Sequence, residues 1–146
     1  MNIPYNGQQF PIPAVRALIV DEFGKLLILK RDNTDFGKGD WCLPGGKVDY
    51  GRTVEEALAA ELREELAVSL LSCDFFFFQD SLPLVADGPH FINFYFHCRI
   101  ENRIRLNEES SDLAWIGPDD LENYTVVFRN DEAIIRHFNK KNITGP

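Results

Sequence analysis

Paired cysteines, an excess of positive charge and long apolar runs are all missing from this chain. Its three cysteines, Cys42, Cys73 and Cys98, are widely spaced and form no Cys-x-x-Cys pair. That spacing argues against a zinc site and favours reduced thiols. The formal net charge is −8, and so acidic a surface repels phosphate backbones, which excludes a role in coating a nucleic-acid polymer. A small phosphorylated ligand is still allowed if a divalent cation mediates the contact.

Membrane and export signals are missing as well. No stretch approaches the roughly 20 apolar residues that cross a bilayer, and no basic segment followed by an apolar run marks the N-terminus. We therefore expect no membrane contact and a cytoplasmic location. The chain has 146 residues, of which 45% are hydrophobic, and this predicts a single domain over residues 1–146 with a proper core.

The order of the predicted elements indicates the fold class. Alternating apolar and polar residues predict strands at 15–21, 25–31, 69–79 and 90–100, with a short strand at 114–116. Helical patterns cover 53–66 and 130–141. Because strands lie on both sides of the first helix in sequence, we predict an α/β sandwich with a mixed sheet.

The first helix carries the residues with the most chemical potential. Thr53 is a good N-cap and Glu56 follows three residues later, which predicts a capping box. At 100° per residue, a buried stripe forms from Leu58, Ala59, Leu62 and Leu66, and an adjoining arc holds the three carboxylates Glu61, Glu64 and Glu65.

Two interpretations of the acidic arc are open from the residues alone. Like charges one turn apart each destabilise a helix by roughly 0.2–0.5 kcal/mol, and a solvated acidic face would tolerate that cost. Alternatively, the arc binds Mg²⁺, which prefers carboxylate and carbonyl oxygens and often bridges them to phosphates. The preceding Pro44-Gly45-Gly46 bares backbone near the helix start, so a glycine carbonyl could be a further ligand.

The segment from Gly46 to Val68 resembles the Nudix box. The family pattern is a glycine, five residues, Glu, seven residues, and then Arg-Glu-aliphatic-x-Glu-Glu-x-Gly-aliphatic. In this chain Gly46, Glu61, Leu62, Glu64, Glu65 and Val68 match, and Trp41 to Gly45 resembles the family's lead-in. The resemblance implies an α/β/α sandwich and hydrolysis of a nucleoside-diphosphate derivative.

Three box positions depart from the pattern. Arg52 stands where the family has its first Glu, Ala60 where it has Arg, and Ala67 where it has the last Gly. The family's Glu and Arg are thought to interact, so Arg52 could contact Glu61 or Glu64 in a compensated swap. The other interpretations are a contact from Arg52 to a substrate phosphate, or a degraded box.

The resemblance also implies a set of site residues. Mg²⁺, with Mn²⁺ as a substitute, would bind the Gly45 carbonyl and the carboxylates of Glu61, Glu64 and Glu65. The catalytic set would be Glu61, Glu64, Glu109 and Arg52, since an acidic loop before a tryptophan-bearing strand supplies a glutamate in several relatives. Glu108 is the alternative to Glu109, and a solvated loop glutamate is the plainer interpretation of either.

Substrate identity depends on residues outside the box. We predict that Arg16, Arg31 and Phe78 bind a small nucleotide substrate. An NDP-sugar or ADP-ribose comes first in our order, followed by a (d)NTP. A Nudix-like module that binds a nucleotide without cleaving it is the alternative function. A homodimer is compatible with the sequence, which does not fix the oligomeric state.

Overall fold

The computed structural model describes residues 9–32 and 38–143, with side chains up to residue 139. Seven strands and two α-helices follow in chain order, with a short 3-10 helix at Leu121–Asn123. The strands are β1 (Ile12–Ile19), β2 (Leu26–Arg31), β3 (Trp41–Cys42), β4 (Gly45–Lys47), β5 (Ser69–Ser81), β6 (Phe91–Glu101) and β7 (Ser110–Ile116). The helices are α1 (Val54–Leu66) and α2 (Asn130–Ile143).

The strands form two sheets. One has the order β4-β1-β6-β5, and the other has the order β3-β2-β7. Strands β1 and β6 are parallel, with Ala14 opposite Asn93, whereas the remaining pairs are antiparallel. The predicted mixed sheet is therefore confirmed, and a second, antiparallel sheet accompanies it.

Alternation along the strands places a helix on each side. Val15 and Ala17 of β1 pack in one core cluster with Leu58, Leu62 and Leu66 of α1. Leu18, the residue after Ala17, packs in a second cluster with Ile134 and Phe138 of α2. Because consecutive strand side chains point to opposite faces, the strands lie between the two helices, which confirms the α/β/α sandwich.

The buried stripe of α1 differs from the prediction at one residue. Leu58, Leu62 and Leu66 are fully buried, as expected, but the buried alanine is Ala57, and Ala59 is only half-buried. Ala57 precedes Leu58 and lies on the same flank of the helix, one turn before Glu61.

Two further predictions concern the cysteines and the membrane. Cys42, Cys73 and Cys98 are free thiols. In the described part of the chain, neither α-helix has both the length and the apolar character needed to cross a membrane.

Candidate active site

Helix α1 begins and ends at well-defined caps. The Thr53 hydroxyl accepts from the Glu56 amide at 3.0 Å, and the Glu56 carboxylate accepts from the Thr53 amide at 3.0 Å. This is the predicted capping box. The helix ends at Ala67, whose φ of 59° is left-handed and whose N–H donates to the Arg63 carbonyl. Ala67 thus adopts the conformation that glycine favours at this position.

The three predicted carboxylates of α1 lie in three different environments. Glu65 is buried, and its Oε1 accepts from the Gly45 amide at 3.0 Å. Glu61 is half-buried and lies against Gly46, where a Cβ would come within 2.6 Å of the Glu61 carboxyl carbon. Glu64 is exposed to solvent. Because Gly46 has no side chain, the Glu61 carboxylate can occupy the space beside it.

Burial and crowding both disfavour the ionised forms of these acids. Burial raises the pKa of Glu65 to about 8, with Glu61 and Glu109 adding to the rise while Arg16 and the Gly45 amide oppose it. The pKa of Glu61 is also raised, first by burial and then by Glu64 and Glu109. Although Glu109 lies on the loop before β7, its charge reaches both acids, whereas Glu108 is not among the causes of either shift.

Repelling carboxylates of this kind suit a hard divalent cation. Mg²⁺ binds oxygen ligands, takes only one or two protein carboxylates in many sites and keeps several waters. Among the described residues, however, no three acidic, histidine or cysteine side chains are close enough to form a ready-made metal cluster. The donor set therefore fits a cation that the carboxylates and a substrate phosphate would bind together.

A cavity of about 400 Å³ lies beside these carboxylates. Five predicted site residues line it, namely Arg16, Arg31, Gly45, Glu65 and Glu109, and so does Gly46. We call Glu61, Glu65 and Glu109 the carboxylate wall, because their charges act on one another. The structure thus brings together residues from β1, β2, β4, α1 and the loop before β7.

The cavity is also lined by an aromatic residue that sequence analysis missed. Phe128 lines the cavity, and the guanidinium carbons of Arg16 and Arg31 lie 5.1 and 4.6 Å from the centre of its ring. We call Arg16, Arg31 and Phe128 the guanidinium wall. No local pattern marks Phe128, which is one of 12 phenylalanines in the chain and lies in the short connection before α2.

Four predicted site residues do not line the cavity, namely Glu61 and Glu64 of α1 and, on other elements, Arg52 and Phe78. Arg52 is exposed, its amide donates to the Asp49 carbonyl at 3.1 Å, and its charge acts on Glu56. Within the described residues, no ion pair joins Arg52 to Glu61 or Glu64. Phe78 is 58% exposed on β5, packs beside Phe94 and does not line the cavity.

Comparison with known proteins places this arrangement in a family context. The family model described as NUDIX domain matches residues 11–138. The nucleoside triphosphatase NudI of Escherichia coli O139:H28 is 37% identical over 116 residues, which cover 73% of this chain and 82% of that protein.

Solved structures resemble the chain over most of its length. The MutT NUDIX hydrolase from Burkholderia pseudomallei superposes with a TM-score of 0.77 at 28% identity, covering 86% of this chain and 97% of that one. The NUDIX domain of Shewanella oneidensis NrtR, solved with ADP ribose, has a TM-score of 0.75 at 18% identity and covers 98% and 95%. The second likeness concerns the fold alone.

Proposed function

Because this chain belongs to the Nudix family and is a MutT-like Nudix pyrophosphohydrolase, we propose that it hydrolyses a P–O–P linkage of a nucleoside triphosphate with Mg²⁺ or Mn²⁺. One observation carries the proposal. A single cavity is lined by two acids, Glu65 and Glu109, and by two guanidiniums, Arg16 and Arg31. Such a cavity can hold cations through its acids and phosphate oxygens through its guanidiniums.

The carboxylate wall is the proposed cation site. Glu61 and Glu65 of this wall would provide carboxylate ligands together with the exposed Glu64 of the same helix, and the Gly45 carbonyl would add a backbone oxygen. When bound, the cation supplies positive charge to the diphosphate and makes a bound water more acidic. Glu65 already accepts the Gly45 amide, so the helix and the β4 backbone are held together before any ligand binds.

The chain's own residues then have separable roles. Glu61 or Glu109 orients the attacking water and accepts its proton. The water oxygen forms a bond to phosphorus, the bridging P–O bond breaks, and the leaving phosphate takes the electron pair. Arg16 and Arg31 bind non-bridging oxygens, where a guanidinium can donate two parallel hydrogen bonds. Arg52 lies in the loop before α1 and does not line the cavity. Its role as a phosphate contact therefore stays a prediction.

The order of substrates changes from the one given by sequence alone. We placed an NDP-sugar or ADP-ribose first, but NudI, at 37% identity, is named a nucleoside triphosphatase. That likeness supports a nucleoside triphosphate as the first candidate, with ADP-ribose and NDP-sugars next. The cytoplasmic location, the single-domain organisation and the homodimer remain predictions.

The test is a substrate panel. Purified protein with Mg²⁺ is given each dNTP and NTP, ADP-ribose and several NDP-sugars, and the products are identified by phosphorus NMR. We expect turnover of at least one triphosphate, loss of activity in EDTA and recovery with Mg²⁺ or Mn²⁺.

A matched control separates the site from general acidity. Glu55→Gln removes an exposed carboxylate from the first turn of the same helix, outside the cavity, and should leave turnover unchanged. Full turnover in EDTA would overturn the metal dependence. Tight nucleotide binding without any hydrolysis would replace the proposal with the alternative function, a nucleotide-binding module.

A further inference from the structure

The guanidinium wall depends on one ring. Arg16 is buried, with 8% of its surface exposed, and its Nη1 donates to the Leu43 carbonyl at 3.0 Å. Its Nε has no hydrogen-bond partner among the described residues. A buried donor without a partner is costly in an isolated protein, so a ligand acceptor at this edge of the cavity would satisfy it. The ring of Phe128 contacts this guanidinium and that of Arg31.

Phe128 reaches this position through an unfavourable backbone conformation. Phe128 and Arg129 have φ values of 61° and 57°, in the left-handed region that costs most residues about 1–2 kcal/mol each. Two consecutive non-glycine residues in this region persist only if the surroundings hold them there. Hydrogen bonds from neighbouring side chains stabilise this backbone conformation.

Buried side-chain amides form hydrogen bonds with the backbone of Phe128 and Arg129. The Asn130 amide nitrogen donates to the Phe128 carbonyl at 3.2 Å and to the Tyr95 hydroxyl at 3.2 Å. Its Oδ1 accepts from the Leu43 amide at 2.9 Å. Gln79 donates to the Arg129 carbonyl at 3.1 Å and accepts from the Tyr95 hydroxyl at 2.8 Å. Asn130 and Tyr95 have no exposed surface, so this network is rigid core and not a ligand contact.

We propose that Phe128 is a positioning residue, whose ring holds the guanidiniums of Arg16 and Arg31 so that both bind the phosphate chain of the substrate. The inference rests on the proposed function for the identity of the anion. The phosphate chain is favoured over the nucleobase because Arg16 lines the same cavity as Glu65 and Glu109, and its buried Nε has no hydrogen-bond partner among the described residues. The Asn130 network fixes the ring by fixing its backbone.

The main test compares Phe128→Leu with Phe128→Tyr. Leucine keeps an apolar side chain but has no π face, whereas tyrosine keeps the face that attracts a guanidinium. We expect Phe128→Leu to raise KM about 10-fold with kcat within about 3-fold, which is the pattern of lost substrate binding. Phe128→Tyr should stay within about 2-fold of the wild type. An unchanged KM in Phe128→Leu would overturn the proposal.

A binding measurement separates this inference from the proposed function. Inorganic imidodiphosphate, which has a P–N–P bridge and no base, is titrated with Mg²⁺ by calorimetry. Its Kd should rise about 10-fold in Phe128→Leu, whether or not the wild type hydrolyses any nucleotide. If nucleotide KM rises but the imidodiphosphate Kd does not, the ring acts on the base and the proposal is overturned.

A double-mutant cycle tests whether the ring acts through the arginines. In an Arg16→Met, Arg31→Met background, which leaves no cation at the ring, adding Phe128→Leu should change KM by less than about 3-fold, because residues acting through one another are not additive. A full 10-fold change in that background would mean that the ring contacts the substrate itself.

A backbone control excludes a merely structural role. Phe128→Gly and Arg129→Gly both relieve a left-handed φ, but only the first removes the ring. We expect a raised KM in Phe128→Gly and a KM within about 2-fold of the wild type in Arg129→Gly. Equal effects from the two variants would assign the loss to the backbone and overturn the proposal.

Discussion

The two walls of the cavity are built differently. Glu61 and Glu65 of the carboxylate wall come from one helix, four residues apart, so the helical repeat alone places them on one side. The guanidinium wall takes Arg16 from β1, Arg31 from β2 and Phe128 from the connection before α2. The pair Glu61 and Glu65 is therefore a local property of the chain, to which the loop before β7 adds Glu109, whereas the guanidinium wall exists only after both sheets and α2 have packed.

This difference separates two kinds of chemistry. The carboxylate wall is crowded with like charges and has raised pKa values, so it needs a cation to work. The guanidinium wall is assembled by contacts to an aromatic ring and needs an anion. We expect changes on the first wall to act mainly on kcat and changes on the second to act mainly on KM.

The largest effect is expected at Glu65. Glu65→Gln keeps the shape and the acceptor for the Gly45 amide but removes the charge. We expect kcat to fall at least about 100-fold, because such a carboxylate holds charge that the transition state needs. Steady-state kinetics with Mg²⁺ measures this, and circular dichroism should show an intact fold. Near-normal kcat would remove Glu65 from the site and break the distinction between the walls.

A pair of adjacent glycines separates the wall from the strand behind it. In Gly46→Ala, the added Cβ meets only the flexible end of Glu61, at 2.6 Å. Displacing that carboxylate should lower kcat about 10-fold, since placement of a catalytic group matters on the scale of 1 Å, with little change in stability.

Gly45→Ala is the matched comparison. There the Cβ would lie 1.9 Å from the Val15 carbonyl oxygen, at a φ of 151°, so the β1–β4 pairing must open. Thermal denaturation should show a much lower melting temperature for Gly45→Ala than for Gly46→Ala. Equal melting temperatures would mean that β4 moves freely and does not fix the cavity.

The pH dependence of stability sharpens the electrostatic half of the comparison. The folded pKa of Glu65, about 8, lies above its ordinary value of 4.5, so folding favours the protonated acid. Below pH 4.5 both folded and unfolded chains carry the proton and no stability is lost, whereas between 4.5 and 8 the folded state is progressively destabilised.

Glu65→Gln lacks this titration, so in EDTA it should gain stability over the wild type as the pH rises from 5.5 to 8. Urea unfolding of both proteins at several pH values measures the gap. A gap independent of pH would contradict the raised pKa. The other titrating groups are present in both proteins, so the difference reports Glu65 together with its interaction with Glu61 and Glu109.

The smallest effect is expected at Arg52, which belongs to neither wall. It is exposed and its charge acts on Glu56, at a surface where solvent screens such an interaction. Arg52→Ala should change kcat and KM by less than about 3-fold. A large fall in kcat that the double variant Arg52→Glu, Ala60→Arg restores would instead support the compensated swap.

Features of the molecule that depend on local sequence could be predicted, whereas features that depend on contacts between distant residues could not. The capping box at Thr53, the buried leucines of α1 and the alternation of β6 are local patterns, and the structure confirms each. The sequence also named Arg16 and Arg31, but it could not show that one ring joins them. Phe128 was missed because a left-handed conformation at a phenylalanine has no sequence signal. It is stabilised by hydrogen bonds from Asn130, two residues later, and from Gln79, which is distant in the sequence.

The position of Phe78 depends on where its strand lies in the sheet. The sequence predicts Phe78 as a residue that binds the substrate, but β5 forms one edge of its sheet and two register shifts occur along it. Side chains along such a strand do not keep a simple alternation, and Phe78 lies away from the cavity. The position of a strand within its sheet is a tertiary property that periodicity does not encode.

The parallel pairing of β1 with β6 has a consequence for the order of folding. These strands are adjacent in space, with Ile12 opposite Phe91, yet most of the chain lies between them. Closing so long a loop is slow, because chain entropy is lost before the contacts form. Helix α1 and the β5–β6 hairpin are local and can form first. After dilution from urea, circular dichroism should therefore recover before imidodiphosphate binding, and simultaneous recovery would show that the distant strands pair as early as the hairpin.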